Sequence, residues 1–212
     1  MKSVGGSWQY KAIMRKIFSR SIVILALALG VPGLAGCGTD VQVQKLPELT
    51  FAHLGAIELN VARLDVVSRY QAPMKRPNVD HLVPVSPLTA MKRWAQDRIK
   101  PAGRSGAVTF TVHQASVIEE KLKMKSGVTG TFTTQQSERY TARVEATLEV
   151  FDQAGQRRGF ATANAVRSQT LREDASLNAR EKMWFGLVEE LMQEFDKAMT
   201  KNIKTHLVNW VM

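Results

Sequence analysis

The chain has 212 residues, 44% of them hydrophobic, and a formal net charge of +10 at pH 7. Five of the ten excess positive charges fall within the first 36 residues, leaving +5 on the other 176, and no basic run alternates with aromatics, which excludes nucleic acid as a partner. The single cysteine excludes a disulfide framework and a thiolate metal site, and a chain of this size buries one core without such staples, so one domain is expected.

The first element is a targeting segment. Lys2, Lys11, Arg15, Lys16 and Arg20 precede the apolar run "SIVILALALGV", with no acidic residue among them. A bilayer core needs about 20 apolar residues, so this run is too short to span one. A basic start, a short apolar stretch and small residues after it describe a secretory signal over residues 1–36, and Met14 opens a more compact version of the same signal. The small-residue end is Leu34, Ala35, Gly36 and Cys37. This "LAGC" resembles the lipobox of bacterial lipoproteins. The resemblance implies cleavage before Cys37, a diacylglyceryl group on its thiol and a further acyl chain, such as palmitate, on the new amino terminus. One acyl chain holds a protein only marginally, while two or three make a stable anchor. Gly38, rather than Asp, after the Cys points to the outer membrane, with inner-membrane anchoring as the alternative.

Residues 37–50, the acylated Cys and a polar stretch with Pro47, read as a tether. Residues 51–212 read as a single periplasmic domain. In "AIELNVARLDVV" (56–67) an alternation shifts phase by one, which predicts one strand with a bulge. Pro73, Pro77 and Pro84 exclude a central strand from the connection that follows. Ser86 then Pro87 predicts a helix start, and Leu88, Met91, Trp94, Ala95 and Ile99 continue it as one apolar stripe until Pro101 and Gly103.

Val108, Phe110 and Val112 alternate with polar residues over 106–117 and predict a half-buried strand. Residues 121–139 read as a long loop or hairpin end. Tyr140, Ala142, Val144, Ala146, Leu148 and Val150 form one face of the next strand, "DQAG" (152–155) turns the chain, and 158–171 returns antiparallel. From Ser176 a helical face runs through Trp184, Leu187, Val188, Leu191, Phe195, Ala198, Met199, Ile203, His206, Leu207 and Trp210. About 30 residues at 1.5 Å make some 45 Å, which is expected to overhang the sheet or bend. The expected fold is α+β, with two helices packed on one face of a mostly antiparallel four-stranded sheet in the order β-α-β-β-β-α.

Chemistry is sparse in this sequence. His53, His81, His113 and His206 share no metal-binding spacing, with His113 expected on a wet strand face and His206 on the apolar stripe. There is no G-x-S-x-G elbow and no phosphate loop, and Glu119–Glu120 and Glu189–Glu190 are adjacent pairs that point apart as surface charges. No catalysis, cofactor or metal is expected. Lys121, Lys123 and Lys125 recur every second residue, a comb that can meet anionic lipid or a partner, or can solvate a hairpin end. Met183, Met192 and Met199 with Trp184 read as helix core or as an adaptable groove. The apolar "LVNWVM" at 207–212 either packs back on the sheet or contacts a partner or the membrane.

The stretch "ERYTARVEATLEVFDQAGQ" (138–156), with the long helix after it, resembles the strand, D-x-x-G hairpin and helix of two lipoprotein groups. One is the lipopolysaccharide-assembly lipoprotein; the other is the auxiliary lipoproteins of ABC-type, MCE-linked lipid transporters. The resemblance implies a non-catalytic accessory or assembly subunit of an envelope lipid or lipopolysaccharide transport system, anchored in the outer membrane and facing the periplasm. Its partners would be the membrane, an envelope transport or assembly protein, and lipid. The alternative is a stand-alone module that binds anionic lipid.

Overall fold

Three long amphipathic strands and two amphipathic helices dominate the domain, and each helix finds its complement on one side of a sheet. The computed structural model describes residues 46–123 and 135–212. Its strands are β1 (Ile57–Leu59), β2 (Arg63–Ser68), β3 (Ile99–Pro101), β4 (Ala107–Lys121), β5 (Gln136–Phe151) and β6 (Arg157–Arg172); the helices are α1 (Pro87–Arg98) and α2 (Leu177–His206). The order is thus β-β-α-β-β-β-β-α.

The expected single strand at 56–67 is two strands in two sheets. β1 pairs in parallel with β3, while β2 pairs in parallel with β4 at the edge of the sheet β2-β4-β5-β6. The phase shift in the sequence is this change of sheet, made at Asn60 and Val61. The chain turns there so tightly that a Cβ on Gly103 would lie 2.5 Å from the Asn60 carbonyl carbon. β4, β5 and β6 are antiparallel neighbours as expected, so the four-stranded sheet is mixed by one parallel edge strand.

β4 carries the bulge that the sequence placed elsewhere. Register shifts between Val112 and Gln114. Val108, Phe110 and Val112 face inward before the shift, and Ala115 and Val117 after it, so His113 is the extra residue that changes the phase. The Pro-rich connection is not a strand, yet it seals the far part of the β4 edge. Val79 N–H donates to the Val117 carbonyl at 2.8 Å, and Glu119 N–H donates to the Pro77 carbonyl at 2.9 Å.

Both helices begin on a serine. Ser86 Oγ accepts the Thr89 N–H ahead of Pro87, and Ser176 Oγ accepts the Ala179 N–H, each at 3.2 Å. α2 does not overhang. It lies along β6 rather than across the sheet, from Met183 near Leu171 to Leu207 over Gly159. Sixteen strand residues measure about 53 Å, enough for a 30-residue helix of about 45 Å. Small side chains at Ala161, Ala163 and Ala165 lie buried beneath it. No described helix is long and apolar enough to cross a membrane.

The core centres where α1, α2 and β4 meet. Trp94 sits 5.4 Å from Phe110 and 5.2 Å from Phe195, centroid to centroid, the second pair edge-on. Beside this trio lies a buried ion pair. Asp196 Oδ1 accepts Trp94 Nε1–H and Arg98 Nε–H, both at 2.8 Å. The rest of the Arg98 guanidinium donates to the carbonyls of Leu54 and Gly55 and to Thr200 Oγ1. Met183, Met192 and Met199 are core residues, whereas His206 is exposed rather than on the stripe. Residues 207–212 pack back on the domain: Val211 bridges Leu59, and Asn60 N–H donates to the Trp210 carbonyl at 2.8 Å.

Removing one partner of a buried, hydrogen-bonded ion pair leaves the other charge uncompensated, at a cost of about 3–5 kcal/mol. Asp196→Ala is therefore expected to lower the unfolding free energy by about that amount, measured by urea denaturation.

Candidate functional site: the bare sheet face and its open edge

With both helices on one face, the other face of the sheet has no described element upon it. On β5 this face is Thr141, Arg143, Glu145, Thr147 and Glu149, and on β6 it is Phe160, Thr162, Asn164, Val166 and Ser168. Its hydroxyls bond to one another across the strands. His113 Nε2 lies 3.0 Å from Thr147 Oγ1, which lies 3.2 Å from Thr162 Oγ1; Thr141 and Ser168 meet at 2.9 Å. His113 is thus positioned by its bulge and joins this ladder rather than standing free in solvent. Apolar side chains flank the ladder: Phe160 is 51% exposed, Val166 46% and Val67 44%. Arg157 lies over the Phe160 ring at 5.2 Å and pairs with Glu149 at 2.8 Å.

The two edges of the sheet differ. β2 and residues 77–79 cover the β4 side, while β6 has no strand beyond it among the described residues. The Glu173 N–H donates to the Gln135 carbonyl, so odd-numbered residues of β6 turn their backbone groups inward and even-numbered ones turn theirs outward. The Thr162 carbonyl is one of the outward groups, and Asn202 Nδ2 of α2 donates to it at 2.7 Å. A helix side chain therefore blunts one position of an otherwise open edge. Around it Gly159, Phe160, Thr162, Asn202 and His206 line a cleft of about 450 Å³.

The far end of the sheet holds a polar cluster. Glu138 Oε2 accepts the Tyr140 hydroxyl at 2.7 Å and pairs with Arg180 at 3.1 Å; Tyr140 packs edge-on against Trp184 at 5.5 Å. Glu119, expected as a surface charge, is instead buried and paired with Arg76, while Glu120 stays exposed. Glu189 and Glu190 are exposed as expected. Lys121 closes β4 opposite Glu138, and Lys123 follows it; both are exposed, with no ion pair among the described residues. Leu34, Ala35, Gly36, Cys37 and Lys125 lie outside the described residues. His53, His81 and His206 do not come together with one another, and no described group of three or more His, Cys, Asp or Glu could hold a metal ion.

The last residues of the segment read as a tether, 46–50, dock on the domain. Leu49 packs against the core, Glu48 pairs with Arg93, and Asp97 Oδ2 accepts the Thr50 hydroxyl at 3.0 Å and the Phe51 N–H at 2.8 Å. Polar composition concealed this docking, because the contacts are made by the few apolar and acidic residues among many polar ones.

No protein-family model and no curated protein matches the chain. Among solved structures it is similar to rare lipoprotein B from Shewanella oneidensis, with a TM-score of 0.37 and 15% identity over 69% of this chain and 97% of the other. A likeness of that extent carries no functional argument, and the reading below rests on this chain's own residues.

Tyr70 and Tyr140 each hold their proton above the usual tyrosine range, first through burial and then through hydrogen bonds to Asp80 and Glu138 respectively. A folded-state pKa raised above the unfolded value of about 10 gives stability that is complete below pH 10 and is lost as pH rises beyond it. Alkaline titration followed by tyrosinate absorbance and circular dichroism is expected to show these two protons leaving only as the domain unfolds, and Tyr140→Phe to remove one of them.

Proposed function

We propose that this chain is a lipid-anchored periplasmic lipoprotein of the outer membrane, serving as a non-catalytic accessory or assembly subunit of an envelope lipid or lipopolysaccharide transport system. The lipobox-like Leu34, Ala35, Gly36 and Cys37 support the anchor. The observation that carries the docking role is the bare face of the sheet. Three strands of 15 to 16 residues have one side that no other described element covers, hydroxyl-lined and studded with exposed Phe160 and Val166. Such a face suits a large, flat contact with another protein, and an anchor raises the local concentration of that contact.

Affinity purification from solubilised envelopes is expected to recover a barrel or transporter component in stoichiometric amount with the wild type. Cys37→Ala would move the protein to the soluble fraction, and Asn164→Arg on the bare face would lower recovery at least about tenfold, or 1.4 kcal/mol. A partnerless monomer from wild-type envelopes overturns the docking role.

A second reading is a stand-alone module for anionic lipid, favoured by Lys121 and Lys123, which are exposed and make no ion pair among the described residues. It predicts lipid that co-purifies in low salt and is lost in high salt. The variant with Glu at 121, 123 and 125 would retain no such lipid; wild-type retention ends this reading.

A further inference from the structure

Residues 46–55 cross the helix layer on its outer side. Their partners on α1 are Arg93 and Asp97, and on α2 they lie beside Glu189, Gln193 and Lys197, all on the helix faces turned away from the sheet. Phe51 is buried, and the Arg98 guanidinium holds the carbonyls of Leu54 and Gly55. A cleft of about 390 Å³ borders this strap on the α1 side, next to Lys92, and one of about 260 Å³ borders it on the α2 side, next to Lys197. Both lysines are exposed and make no ion pair among the described residues. The described chain therefore begins on the helix side of the domain.

Chain length then limits orientation. Eight residues separate Cys37 from Leu46, with a reach of at most about 30 Å at full extension. Helix layer and sheet together are about 20 Å thick, at about 10 Å per layer. Turning the bare face to the membrane would use nearly all of that reach in passing around the edge of the domain. The helix-side-down arrangement requires no stretching.

We propose that the docked strap turns the helix layer to the membrane, where Lys92 and Lys197 meet anionic head groups, and holds the bare sheet face toward the periplasm. The inference rests on Cys37 being the anchor. It assigns Lys92 and Lys197, on either side of the strap, to the lipid surface and leaves the opposite face for protein contact.

The test uses the full-length protein, purified from envelopes and placed in vesicles of phosphatidylethanolamine and phosphatidylglycerol that carry a head-group acceptor dye. Donor dyes are attached at Gln96→Cys on α1 or at Asn164→Cys on the bare face. Energy transfer from position 96 is expected to exceed that from 164 at least twofold. Lys92→Glu with Lys197→Glu should shrink the difference, and a twelve-residue Gly/Ser insertion between Asp40 and Val41 should abolish it. Intact mass of the purified protein separates the two ways of failing. An unmodified Cys37 overturns the anchor and this inference with it; an acylated Cys37 with equal transfer from both positions overturns the orientation alone.

Discussion

The arrangement of the helix layer depends on one buried charge pair. Asp196 brings a carboxylate into the centre of the α2 packing face, between Met192 and Met199, where an unpaired charge would be costly to desolvate. Arg98 neutralises it from the last turn of α1, and Trp94 Nε1–H satisfies the same oxygen. The planar guanidinium has donors left over, and these reach the carbonyls of Leu54 and Gly55 as well as Thr200. A lysine has neither the fork nor the number of directed donors for this set. An apolar pair of equal volume could fill the space between the helices, but it would leave the two strap carbonyls without their donor. The pair thus joins three segments that are remote in sequence: the strap, α1 and α2.

What the pair fixes is relayed to the sheet by close packing. The Trp94, Phe110 and Phe195 rings lock α1 and α2 over β4. The alanines of β6 let α2 settle low on the edge strand, near enough for Asn202 to reach round to the Thr162 carbonyl. The same low seat bars growth of the sheet by a second copy whose helices lie on the same face. A β6 strand added alongside would bring its own α2 to within about 5 Å, half the distance at which helices pack. Only a segment without a helix on that side fits there.

Patterns with a local cause were legible in the sequence. Ser86–Pro87 started a helix because its capping chemistry lies within four residues, and the Tyr140–Val150 alternation described a strand because period two needs no knowledge of neighbours. What the sequence concealed depends on partners far along the chain. Nothing near Arg63–Ser68 says that it pairs in parallel with Ala107–Val112, and the phase slip at Asn60 looks the same for a bulge as for a change of sheet. The bulge at His113 went unread, although inward residues fall on even numbers before it and odd numbers after. Arg98 and Asp196 were legible in part as charges on otherwise apolar stripes, a conflict that only a mutual contact resolves. The bare face was implied by the polar half of β5, but the hydroxyl ladder across it required register, and register is not written in any one strand.

The bridge between Leu59 and Val211 joins two points roughly 150 residues apart, close to the widest separation the described chain allows. β1 is thereby held between a parallel partner at Ile99–Pro101 and an antiparallel one at the far end. During synthesis, one side of β1 stays without its hydrogen-bond partners until residues 210–212 have emerged. The early segment would wait in an incomplete state for most of that time, open to chaperones and proteases. Completion of the small ribbon is then a late event, and it reports that the whole domain has arrived.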